Sequence, residues 1–72
     1  MEEIHAEMVS SVWKVLVSPG TEVQAGDTLV ILESMKMEIP VLAEVAGTVT
    51  EIVVEDGDVV NDGDPLVVID PA

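Results

Sequence analysis

The chain has 72 residues, with 15 acidic side chains against two lysines and no arginine, for a formal net charge of −13. A surface this acidic is repelled by phosphate backbones and anionic headgroups, which excludes nucleic acid and membrane surfaces as partners. With no cysteine and a single histidine, no disulfide, cysteine zinc site or nucleophile–histidine triad with a thiol is available.

Seventy-two residues are expected to form one small domain, 1–72, with little surface to bury. Trp13 is the sole aromatic residue, so the core must come from Val, Ile and Leu, which favour strands. Met1-Glu2-Glu3-Ile4-His5 has neither a basic nor an apolar leader segment, and no apolar run is long enough to cross a bilayer. The expectation is a soluble, cytoplasmic protein, monomeric in isolation.

In chain order, strands are predicted at 7–18, 21–24, 28–34, 37–43, 47–55, 58–61 and 66–70. The residues before them, His5 included, are expected to fray. In the first strand Trp13 alternates with Val15 and Val17, which predicts partial packing into the core. Lys14 has the opposite parity and should be solvated. Pro19-Gly20 sets φ near −65° and then permits φ > 0, as a type II turn requires; Asp56-Gly57 does similar work further on. Pro40 and Pro65 predict an edge and a strand start, where a missing N–H is tolerated. No window carries a 3.6-residue apolar stripe, so no helix is predicted.

Residues 12–33 align with 49–70 at a shift of 37, with eight identities in 22 positions, among them Gly20/Gly57, Gly26/Gly63 and Asp27/Asp64. Val23 and Val60, single apolar residues between turns, are predicted to plug the core. Two copies of one unit predict a pseudo-twofold, all-β fold: a flattened β-barrel or sandwich of two antiparallel four-stranded sheets, a barrel-sandwich hybrid. The termini should lie at one end and the connection between the copies, with Lys36, at the other.

That connection is predicted as a hairpin with Met35-Lys36 as a two-residue loop. Ser34 then faces Met37, Glu33 faces Glu38, Leu32 faces Ile39, and Val30 faces Val41. Val30, Leu32, Ile39 and Val41 fall on one face and both glutamates on the other. The loop breaks two local rules. Two-residue loops prefer Asn-Gly or Gly-X because φ > 0 is needed, and facing glutamates repel. Such conflicts gather at functional sites.

Glu33-Ser34-Met35-Lys36-Met37 resembles the attachment segment of the biotinyl/lipoyl attachment family, whose biotin branch carries Glu-Ala-Met-Lys-Met. The similarity runs from about Ala6 to Asp70 and includes Ala46-Gly47-Thr48-Val49. The chain resembles the short stand-alone biotin attachment proteins of bacteria. The resemblance implies that a biotin protein ligase acylates Lys36 with biotin. It further implies that the group exchanges carboxylate between a biotin carboxylase and a carboxyltransferase. Glu33, Met35 and Met37 are implied to serve ligase recognition. The chain departs from the family at Glu7-Met8-Val9-Ser10, where a Pro-Met-x-Gly stretch is usual, and it carries no inserted thumb.

Other constellations fail on their spacing. The acids from Asp56 to Asp64 do not match a calcium loop, because positions five and six are Val60 and Asn61. The glycines lack a following Gly-Lys-Ser/Thr and make no phosphate loop. Lys14 is not read as a second attachment site, and no catalytic or metal-ligating residues are assigned. Two further functions stay open at this point. One is a lipoyl carrier on the same fold; the other is an unmodified acidic module that docks a basic partner.

Overall fold

The computed structural model describes all 72 residues and contains eight strands. They are β1 (Glu2–His5), β2 (Ser10–Val15), β3 (Glu22–Val23), β4 (Thr28–Ser34), β5 (Met37–Leu42), β6 (Gly47–Ile52), β7 (Val59–Val60) and β8 (Pro65–Pro71). One antiparallel sheet has the order β1-β8-β6-β3 and the other β5-β4-β2-β7. Exchanging each strand for its repeat mate (β1 with β5, β2 with β6, β3 with β7, β4 with β8) turns the first order into the second.

The shift of 37 governs the hydrogen bonds as well as the sequence. Gly26 N–H donates to the Ala43 carbonyl at 2.8 Å, and Gly63 N–H to the Ala6 carbonyl at 2.8 Å. Gly20 N–H donates to Val49 O at 2.8 Å, while Gly57 N–H donates to Val12 O at 2.7 Å. Each copy thus closes the turns of the other. Gly20 (φ 96°) and Gly57 (φ 93°) supply the left-handed backbone that these exchanges need.

β1 corrects the prediction at the N-terminus. Glu2–His5 are not frayed but form an edge strand paired with β8, with Ile4 opposite Val67. The predicted strand 7–18 shrinks to Ser10–Val15, because residues 7–9 bend between β1 and β2. The signal for β1 lay in the repeat: Ala6-Glu7 reappears as Ala43-Glu44, so β1 is the counterpart of β5. Pro40 sits on the edge strand β5 and Pro65 opens β8, both as predicted.

The core contains 14 buried apolar residues, with Leu29, Leu32, Leu66, Ile69, Val12, Val30, Val49 and Val67 fully enclosed. Val23 and Val60 plug it from the short strands, as predicted. Consecutive residues Leu29-Val30 and Leu66-Val67 are both buried because a bulge resets strand parity at each pair. A second matched pair of bulges falls between Val12 and Lys14 and between Val49 and Glu51. The first of these overturns the prediction for Trp13. The bulge lies between Val12 and Lys14, so Trp13 is the extra residue and turns to solvent, 50% exposed, while Ser10 and Val12 face inward. Lys14 is exposed, as expected.

Candidate functional site

The molecule is elongated, 34 × 18 × 17 Å along its principal axes. β4 climbs to one pole and β5 leaves it; β5 delivers the chain to Ala46, whose carbonyl accepts from the Ala72 N–H at 2.9 Å. Met35-Lys36 therefore caps one pole and the chain ends lie at the other, as predicted.

The hairpin register matches the prediction residue for residue: Ser34 with Met37, Glu33 with Glu38, Leu32 with Ile39 and Val30 with Val41. Leu32 and Val30 are buried with Ile39 and Val41 packed against the core, while Glu33 and Glu38 face solvent. Burial below the loop thus fixes the register, because a slip of one residue would bring the glutamates inward.

Met35 (φ 52°) and Lys36 (φ 64°) are the only non-glycine residues with positive φ. Both occupy the left-handed region that a type I′ turn demands and that side chains with a Cβ disfavour. The strain is of order 1–3 kcal/mol per residue. It persists because the paired strands beneath over-determine the turn. Its effect is to hold Lys36 at the apex of a rigid ribbon.

The Lys36 side chain is exposed and forms no ion pair or hydrogen bond; elsewhere His5 Nε2 lies within hydrogen-bond distance of Glu3 Oε1, at 3.1 Å. Met35 is 92% exposed and Met37 66% exposed, so neither folds back on the barrel. Together they form a polarizable apolar collar around a free amine. Ser34 points the other way and donates from Oγ to Val9 O at 3.3 Å, which ties the base of the hairpin to the segment before β2. Glu33, Lys36, Met35 and Met37 are thus brought together at one pole, while Lys14 lies further down the flank of the sheet, opposite Ile31.

A two-fold β scaffold that spends its only strained side-chain positions on holding out an unpaired amine defines an attachment domain. Of the two exposed lysines, Lys36 alone stands at a turn, whereas Lys14 lies within a strand. Comparison with known proteins gives the family. Residues 3–69 match the family model described as biotin-requiring enzyme, and the chain belongs to this biotin/lipoyl attachment family.

The chain is 61% identical over 44 residues to a biotinylated protein TB7.3 homolog of Mycobacterium leprae, covering 61% of this chain and 62% of that protein. It is 44% identical over 41 residues to a biotin/lipoyl attachment protein of Bacillus subtilis, covering 57% and 56% of the two chains. The matched stretch thus spans about three fifths of these curated relatives. Among solved structures, a single-chain, multi-domain long-chain acyl-CoA carboxylase superposes with a TM-score of 0.93 at 34% identity, over 99% of this chain and 7% of that one. The urea carboxylase of Kluyveromyces lactis gives 0.89 at 38% identity, over 94% and 6%. The barrel-sandwich fold is therefore shared with modules of much larger carboxylases. No helix is long and apolar enough to cross a membrane.

Proposed function

We propose that this chain is a biotin carrier whose single domain, 1–72, is acylated at Lys36. The observation that carries this reading is the unpaired amine at the apex of the strained turn, inside Glu33-Ser34-Met35-Lys36-Met37. A ligase supplies biotin as an activated acyl donor. Lys36 Nζ attacks the acyl carbon, an amide bond forms, the activating group leaves, and the amine gives up a proton. Glu33 and the two exposed methionines provide the charged and apolar contacts by which a biotin protein ligase finds this lysine.

When bound, biotin carries the carboxylate; this chain's residues supply reach and orientation. Tethering on a stem makes each visit to a partner site intramolecular, with effective concentrations around millimolar. The partners are a biotin carboxylase and a carboxyltransferase, in keeping with the carboxylases that contain this fold. Cytoplasmic residence belongs to the same reading.

The likeness to the Bacillus subtilis biotin/lipoyl attachment protein favours one alternative, lipoyl attachment at the same lysine. One measurement separates the two. Intact mass is recorded after co-expression with a biotin ligase or a lipoyl ligase, beside Lys36→Arg. A biotin-sized addition lost in the variant supports the proposal, and a lipoyl-sized addition supports the alternative. No addition with either ligase rejects both and leaves an unmodified acidic module.

A further inference from the structure

The two sheets meet at a seam between their edge strands β1 and β5, and a groove of about 400 Å³ opens there. It is lined by buried Ile4 and Leu32, half-buried Val41, and exposed Glu7 and Glu44. β1 is hydrogen-bonded only to β8 and β5 only to β4, so each keeps one unpaired edge. The two walls are repeat mates, yet their chemistry differs. β1 offers Glu3 and His5 where β5 offers Pro40 and Leu42.

We propose that this groove binds an extended segment of a partner protein in which cationic and apolar residues alternate. Such a segment adds as a strand to the open edge of β1, since Pro40 deprives β5 of one donor. Side chains of one parity then point inward beside Ile4, against Val41; Leu42, of the opposite parity and 45% exposed, is available to the other set. Those of the other parity lie on the outer face beside Glu3, which is exposed.

Charge selects the occupant. Glu3, Glu7 and Glu44 line the groove with no lysine or arginine among the lining residues. A second copy of this chain, also at −13, would set these same acids against each other. A Lys- or Arg-bearing strand gains where a second copy loses. The groove begins at Leu32 and Ile39, below the Ser34–Met37 rung, so a docked segment leaves Lys36 free.

The test uses the whole chain, ¹⁵N-labelled, titrated with an eight-residue peptide of alternating lysine and valine. A peptide of the same composition with its lysines in one block serves as the comparison. The alternating peptide should bind about tenfold more tightly than the block peptide. It should perturb the amides of Glu2–His5 and of residues 39–42. Leu42→Ser and Glu3→Gln should each weaken it several-fold, whereas Asp62→Asn, in an exposed turn, should not. Equal binding of the two peptides, or shifts centred on the turn acids Asp56, Asp58 and Asp62, would overturn the proposal. So would self-association through these strands in sedimentation.

Discussion

The Asp56 carboxylate reaches 41 residues back along the chain, and its Oδ1 accepts a hydrogen bond from the Val15 N–H at 2.9 Å. A turn acid of the second copy thereby fastens the strand end of the first. The matching position in the first copy is Pro19, which has no such acceptor, so the tie exists on one side only. Asp56→Ala should cost about 1 kcal/mol, as expected for one exposed charge-assisted bond. Urea denaturation, with the slope unchanged and the midpoint lowered, checks it.

The apex is expected to trade stability for presentation. Replacing the loop by Met35→Asn together with Lys36→Gly puts residues that accept φ > 0 where the structure requires it. The double variant should gain about 1–3 kcal/mol in chemical denaturation. It should also lose all modification.

Position along the ribbon should matter as much as chemistry. The exchange Met35→Lys with Lys36→Met moves the amine by one residue and changes its direction of exit. A streptavidin blot should fall to background for this pair, and for Lys36→Arg, while Lys14→Ala stays at the wild-type level.

Gly47 is crowded rather than merely flexible. A Cβ there would overlap the Asp70 carbonyl oxygen and lie 2.9 Å from Pro71 Cα, both backbone atoms of the neighbouring strand β8. Gly47→Ala should therefore cost about 1–3 kcal/mol or more by overpacking. Gly57→Ala meets nothing within 4 Å but is held at φ 93°, so its cost is backbone strain alone, about 1–2 kcal/mol. Thermal melts of the pair should rank Gly47→Ala as the less stable.

Solvent exposure of Trp13 predicts a small stability effect. Trp13→Ala should change stability by less than about 1 kcal/mol, whereas Leu32→Ala, fully buried, should lose about 2–5 kcal/mol. Acrylamide quenching of the single tryptophan in the folded chain should approach that of the unfolded chain.

What the sequence revealed and what it hid follow from the same repeat. Turn residues and alternation carry local information, so the hairpin register, the strained apex and the valine plugs were legible before any coordinates. β1 was not, because a four-residue edge strand has too few positions to show a period. Only its kinship with β5, through Ala6-Glu7 and Ala43-Glu44, marks it. Trp13 was misplaced because a bulge is a tertiary event: one extra residue between Val12 and Lys14 inverts the parity that the alternation implies. The groove at the seam was equally invisible, since it exists only where two edge strands distant in sequence come side by side.

The placement of both chain ends at the pole away from Lys36 has an architectural corollary. Any polypeptide spliced onto either end departs in the direction opposite to the amine, and so does not shade it. The same eight strands can then sit within a longer protein without covering the amine, and in one long-chain acyl-CoA carboxylase the matching fold makes up 7% of the chain.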